Sequence, residues 1–338
     1  MSKRERIFYL DFIRAISIIF IVIFHFNCSL YGHSITGYEI LFKTYANGDL
    51  GQIGVSLFFI ISGASLMYTY QNDFSIKQYF KKRFIALYPM FWISYGIAFL
   101  YLFYINCSIN NLIPKWRFIL TILGMDGYTL YAIPNFYILG EWFLGCIIIL
   151  YFCFPILRKF TIEHPKLLIS IISIIYIVVV EKYTFNMEID RNVLTRLPEF
   201  LFGMYFIQYF KKINMYQFIG ALCISAFMFI KVVNIPQMYI ITIIGISLFI
   251  VLAFIGQNVE SGQLKRMVVS ISKYSYAIFL VHHIIIEQML ARFNGKEITF
   301  IESYCLFIIT CIVIAIISTG IYKLHKGIIR HLKVEVRG

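Results

Sequence analysis

The sequence predicts an all-α polytopic membrane protein with about ten transmembrane helices, both termini cytoplasmic, and one re-entrant or interfacial segment. Of its 338 residues, 60% are hydrophobic and only 14% are charged, and the mean hydropathy is +0.79. A soluble domain carries about 25% charged residues. Apolar runs recur along the whole chain, so we expect residues 1–338 to form a single integral membrane domain.

The apolar runs predict ten spans, because a helix needs about 20 apolar residues to cross a bilayer. The spans are expected at about 7–29, 51–70, 84–105, 136–157, 167–183, 196–210, 216–233, 238–256, 270–291 and 299–322. Residues 106–135 hold prolines, glycines and an apolar piece too short to cross. That stretch favours a re-entrant or interfacial segment, which requires its backbone to face protein or water.

Charge supports this topology and argues against a nucleic-acid partner. The chain has 30 Lys and Arg against 17 Asp and Glu, a net charge of +13. With the N-terminus in the cytoplasm, most of the basic residues fall in cytoplasmic segments, as membrane proteins usually arrange them. The 7 cysteines are scattered without metal-ligand spacing, so we expect neither disulfides nor a metal from them.

The first span carries three ionisable residues along one stripe: Asp11, Arg14 and His25. At about 100° per residue, Arg14 and His25 differ by about 20° around the helix and lie about 16 Å apart along it. A charge in hydrocarbon is costly, so such residues normally face protein or a wet cavity. The stripe predicts a polar path along this helix.

His25 and Arg14 are the candidate catalytic residues of this stripe. A neutral imidazole can accept a proton from a hydroxyl and return it to a leaving group, which assigns His25 the role of base. Arg14 can pair with Asp11 at i and i+3, or snorkel toward the interface. Equally, it can bind an anionic or carbonyl group of a ligand, with Asp11 holding it in place.

Further candidates lie on later segments. Lys82 and Arg83, at the start of the third span, suit the phosphates of a nucleotide-like cofactor, or belong to an ordinary basic loop. Glu141 can orient a histidine, bind sugar hydroxyls, or simply lie at the interface beside Trp142.

The ninth span contains His282, His283 and Glu287. His283 and Glu287 share a face at i and i+4, and we expect a hydrogen-bonding role for His283, with His282 pointing elsewhere. No third or fourth ligand is evident, so no metal is expected.

Several runs together are similar to the acyltransferase-3 family of bacterial membrane O-acyltransferases, and the similarity covers nearly the whole chain in order. The runs are YLDFIRAISIIFIVIFHF with Arg14 and His25, GVSLFFIISGASLMY with Ser62 and Gly63, FKKRFIALYPMFW, WFLGCIIILYFCFP, RLPEFLFGMYF and SYAIFLVHH. Two positions differ from many members: Ala86 replaces an Arg and Ile147 replaces a Glu. No fused esterase-like domain is present in the sequence.

The resemblance implies transfer of an acyl group, usually acetyl, from cytoplasmic acetyl-CoA or another acyl-CoA to a hydroxyl of a cell-surface polysaccharide or its lipid-linked precursor. The expected location is the bacterial cytoplasmic membrane, among its lipids. Arg14, Lys82 and Arg83 are expected to hold the donor, and His25 to act as base or as a transient acyl carrier. Asp11, Ser62, Glu141 and His283 are expected to support the acceptor or the catalytic groups. The alternative is an exporter of polysaccharide or a small acid.

Overall fold

The computed structural model describes residues 6–108 and 112–335, with side chains described as far as residue 331. Its helices in these ranges are α1 Phe8–Gly32, α2 Leu50–Tyr70, α3 Ile76–Asn106, α4 Phe118–Leu123, α5 Asp126–Thr129, α6 Glu141–Glu163, α7 Pro165–Glu181, α8 Val193–Tyr205, α9 Met215–Ile230, α10 Gln237–Gln257, α11 Gly262–Ala291 and α12 Phe300–Glu335. A short hairpin pairs β1 Thr44–Tyr45 with β2 Gly48–Asp49.

Within the described ranges, seven helices are long and apolar enough to cross a membrane: α1, α2, α3, α6, α10, α11 and α12. A helix lies at each of the ten predicted spans, but α7, α8 and α9 have 17, 13 and 16 residues. At about 1.5 Å per residue, such helices fall short of a hydrocarbon core of about 30 Å. The multi-pass membrane architecture is thus confirmed, while the count of ten stays a prediction. The cytoplasmic orientation of both termini also stays a prediction, and the outermost residues of the termini lie outside the described ranges.

The helix of the third predicted span begins earlier than expected. The basic stretch before the third span is helical, since α3 begins at Ile76 and runs for 31 residues. No proline or glycine interrupts residues 76–88, so the helix of the span extends through them. Within residues 106–135, the structure describes one 3₁₀ turn and the short helices α4 and α5. None of these is long enough to cross a bilayer.

One compact unit comprises residues 1–24, 42–74 and 146–273. Within it, α2 and α8 pack backbone against backbone. A Cβ on Gly63 would lie 1.9 Å from the carbonyl oxygen of Phe200, and one on Gly203 would lie 1.9 Å from that of Ile60. Small residues allow this approach in membrane helices, and Gly63 and Gly203 provide them at this contact.

The second compact unit comprises residues 25–41, 75–145 and 274–338. In it, α3 holds the short-helix segment through side-chain bonds to backbone carbonyls. Trp92 donates to Ile122 at 3.0 Å, Tyr88 donates to Leu123 at 3.1 Å, and Tyr95 donates to Phe136 at 2.5 Å. Asn135, which is buried, donates to the carbonyl of Asp126 at 2.9 Å. These bonds hold the segment that contains α4 and α5, which precedes α6 in the chain, beside α3.

Candidate active site

Two histidine side chains of the second unit converge on one carboxylate. His25 Nε2, from α1, lies 3.5 Å from Glu141 Oε1, and His282 Nε2, from α11, lies 3.6 Å from the same oxygen. The rings of His25 and His282 are 5.0 Å apart between centroids. The side chain of His282 is fully buried, whereas His25 and Glu141 keep 19% and 17% of their exposure. The cluster is therefore open on the side of His25 and Glu141.

Glu141 is held at the first position of α6 by an unusual backbone. Its φ is +39°, and that of Gly140 is +96°. A non-glycine residue in this left-handed region costs of order 1–3 kcal/mol, and such residues concentrate at functional sites. The backbone of α5 presses against it, since a Cβ on Gly127 would lie 2.3 Å from the carbonyl carbon of Glu141. Packing thus fixes where this carboxylate points.

The hydrogen bonds of His282 determine which of its ring nitrogens carries the proton. Its Nδ1 lies 2.8 Å from the carbonyl oxygen of Phe279 and 3.2 Å from that of Ile278. Because a carbonyl oxygen only accepts, Nδ1 carries the hydrogen. In the neutral ring, Nε2 then presents a lone pair toward Glu141. Among the described residues, neither His282 Nε2 nor Glu141 Oε1 has a hydrogen-bond partner.

The neighbours of the cluster correct the expectation from the sequence. The ring of His283 lies 5.1 Å from that of His25, but His282 does not point elsewhere, since it also meets this cluster. Glu287 instead accepts hydrogen bonds from Ser29 Oγ at 2.8 Å and lies 2.9 Å from His33 Nε2. His282 was missed because helical spacing alone does not reveal that both faces of α11 are covered by polar partners.

In the first unit, the predicted pairing of Asp11 with Arg14 is present, with 3.3 Å between Nη1 and Oδ1. Arg14 Nη2 also donates to Ser65 at 3.1 Å, and Ser272 donates to Asp11 at 2.7 Å. Arg6 forms a second ion pair with Asp11. Arg14 keeps 28% of its side-chain exposure. Asp11 thus holds the guanidinium in place, as expected.

The sequence analysis missed a fully buried ion pair in the first unit. Arg196 Nη1 lies 3.1 and 3.2 Å from the two carboxylate oxygens of Glu199, and Ser56 donates to the same carboxylate. All three side chains are buried. The available signal was two opposite charges at i and i+3 in a short apolar run, RLPEF. The spacing shows that the two charges can pair, but it does not show that the pair is buried.

The remaining candidates are placed as follows. Ser62 lies half-buried on α2 in the first unit. Lys82 is exposed and Arg83 half-buried near the start of α3 in the second unit. Their proposed contacts with a donor are not tested by the geometry.

A comparison with known protein families assigns nearly the whole chain to one family. The family model for acyltransferase-3, described as an acyltransferase domain, matches residues 7–320. No curated protein and no solved structure matches the chain. The match includes the first helix with Arg14 and His25 and also covers Glu141 and the histidines of α11. The chain belongs to the acyltransferase-3 family of membrane O-acyltransferases.

Proposed function

We propose that the protein transfers an acyl group, with acetyl as the expected group, from cytoplasmic acyl-CoA to a hydroxyl of a cell-surface polysaccharide or its lipid-linked precursor. The observation that carries the proposal is the pairing of His25 with Glu141 inside a buried cluster that stays open on one side. A carboxylate beside an imidazole orients the ring and stabilises the imidazolium that forms when the ring takes a proton.

In the proposed reaction, the acceptor hydroxyl attacks the thioester carbonyl carbon while His25 takes the hydroxyl proton. The carbon–sulfur bond breaks, and the proton passes from His25 to the departing thiolate to give free CoA. Glu141 stabilises the charged ring between these steps. In the alternative sequence, a ring nitrogen of His25 attacks the thioester carbonyl carbon, the carbon–sulfur bond breaks, and the departing thiolate takes the ring proton to give free CoA. The acceptor hydroxyl then attacks the acyl group on His25, the carbon–nitrogen bond breaks, and the hydroxyl proton returns to the ring. Neither sequence requires a metal.

Arg14 is proposed to bind an anionic or carbonyl group of the donor, since Asp11, Ser65 and Ser272 hold its guanidinium while part of it stays exposed. Lys82 and Arg83 are proposed to bind donor phosphates, because arginine and lysine suit these anions. Arg14→Lys keeps the charge but loses the planar fork. We expect it to raise the KM for acyl-CoA more than it lowers kcat.

An apolar cavity of the second unit supports a lipid-linked acceptor. Its volume is about 270 Å³, and it is lined by side chains of α3, α11 and α12, including Ala98, Ile285 and Ile317. Val281, which precedes His282, and Leu139, which lies two residues before Glu141, also line it. The cavity therefore adjoins the segments that carry the cluster. An apolar chain attached to a glycan fits such a lining.

The test is release of CoA thiol by the detergent-purified protein, given acetyl-CoA and a glycan acceptor. We expect His25→Ala to lower the rate by about 10²–10⁴-fold, the usual contribution of a general base. His164→Ala, at an exposed histidine, is the matched control and should keep the rate. Wild-type rates in His25→Ala protein that elutes as a folded species would overturn the proposal.

The same preparation in vesicles separates the enzyme from an exporter. Glycan that crosses the membrane unmodified, with no thiol released, would favour transport. Acylated glycan that appears only with acyl-CoA present supports the transferase.

A further inference from the structure

We propose that His25, Glu141 and His282 form a binding site for a divalent transition metal, with Zn²⁺ preferred, and that bound Zn²⁺ inhibits acyl transfer. The nitrogen and oxygen ligand atoms of these three residues all lie within 4.8 Å of one another. Two imidazoles and one carboxylate are a common zinc-binding set that leaves a fourth position open. The metal-binding part stands on geometry alone, and only the inhibition rests on the proposed function.

The distances suit a metal better than direct hydrogen bonds. The two nitrogen–oxygen separations of 3.5 and 3.6 Å are long for a hydrogen bond between these atoms. Zinc bonds of about 2.0–2.1 Å place tetrahedral ligands about 3.4 Å apart. Small side-chain shifts would therefore bring the three atoms around one ion.

The hydrogen bonding of His282 also matches that of a metal ligand. A histidine that binds zinc usually donates its other ring N–H to a backbone carbonyl or a carboxylate, which fixes the tautomer. His282 Nδ1 meets the carbonyl of Phe279 in this way. The buried Nε2 of His282 and Oε1 of Glu141 lack hydrogen-bond partners among the described residues. Leaving such atoms unpaired costs about 1–3 kcal/mol each, which a shared cation would relieve.

Occupation by metal conflicts with the role proposed for His25. A neutral imidazole that binds zinc through Nε2 carries its single proton on Nδ1. No lone pair then remains to accept the hydroxyl proton or attack a thioester. Exposure of the His25 and Glu141 side chains gives the ion a route in. Zinc therefore competes with catalysis for the same imidazole ring.

Metal binding is tested on the purified full chain with Co²⁺ as a spectroscopic probe and with Zn²⁺ measured by elemental analysis. We expect one tightly bound ion per protein and the intense visible absorption of tetrahedral Co²⁺. Loss of even an outer-shell partner weakens zinc binding by 10–100-fold, so His282→Ala and Glu141→Gln should each weaken it by at least about a hundredfold. His33→Ala is the matched control, because it removes a histidine of the same unit that faces a different carboxylate.

Equal metal affinity in the wild type, His282→Ala and Glu141→Gln would overturn the proposed site. Weak visible absorption typical of octahedral Co²⁺ in every variant would overturn it as well. The near-isosteric Glu141→Gln keeps the test valid if His282→Ala fails to fold. Thiol release that saturating Zn²⁺ leaves unchanged would overturn the inhibition. An enzyme with no thiol release at all would contradict the proposed function and leave the binding result to decide the metal site.

Discussion

Two ionic clusters, one in each unit, differ in how the oxygens of the central carboxylate are hydrogen-bonded. Around Glu199, both carboxylate oxygens accept bonds from Arg196, and Ser56 donates to one of them. Around Glu141, two histidine nitrogens approach one carboxylate oxygen at distances too long for strong hydrogen bonds. That oxygen has no hydrogen-bond partner in the described part of the chain. The first cluster is closed and stabilises packing, whereas the second is open and suits a ligand.

Breaking the closed cluster should have the largest effect on stability. Arg196→Met leaves the buried carboxylate of Glu199 without its counter-charge, and we expect a loss of about 3–5 kcal/mol in the free energy of unfolding. Denaturant unfolding in detergent measures it. The double variant Arg196→Met with Glu199→Leu should recover most of that loss, because no charge stays buried alone. A double variant as unstable as the single one would contradict the prediction.

Disturbing the contact between α2 and α8, which positions the closed cluster, should have the next largest effect on stability. Gly63→Ala places a methyl group 1.9 Å from the Phe200 carbonyl oxygen, so α2 and α8 must separate. Overpacking of this kind costs about 1–3 kcal/mol. Gly220→Ala on α9 meets no atom within 4 Å and serves as the control. Equal melting temperatures for the two variants would show that the contact does not matter.

Disturbing the open cluster should affect activity rather than stability. Glu141→Gln keeps the size of the side chain but removes the charge that stabilises imidazolium. We expect kcat for thiol release to fall at least about tenfold, which corresponds to about 1.4 kcal/mol, with little change in unfolding. Glu141→Asp should recover part of the rate. A Glu141→Gln variant that unfolds as readily as Arg196→Met would erase the contrast between the two clusters.

A buried carboxylate outside the seven candidate spans, that of Asp126, should show its effect only as the pH changes. Burial raises the pKa of Asp126 to about 6 from its ordinary value of 3.8. The folded state then keeps a proton that the unfolded state loses, so stability should fall as the pH rises from about 4 to about 6. Asp126→Asn should remove this fall. Thermal unfolding across that range tests it, and parallel curves for both proteins would refute the prediction.

Much of the fold was predictable because hydrophobic length and period are local properties. The helices at all ten predicted places and the Asp11–Arg14 pair follow from runs of apolar residues and from an i, i+3 spacing. The start of α3 was placed too late because basic residues were interpreted as a loop, although nothing in the stretch breaks a helix. The short length of α7, α8 and α9 was also visible in the sequence, since the corresponding predicted spans are the three shortest of the ten.

The sequence by itself determined the membrane class and the family resemblance, and it singled out Arg14 and His25 as candidates because ionisable residues in an apolar helix are conspicuous. Only the tertiary structure decided that Glu141 and His282 meet His25, since they lie on helices far apart in the chain. It alone assigned the hydrogen on His282 to Nδ1, because that depends on a carbonyl of the folded helix. Long-range packing and hydrogen bonding turned separate polar residues into one site.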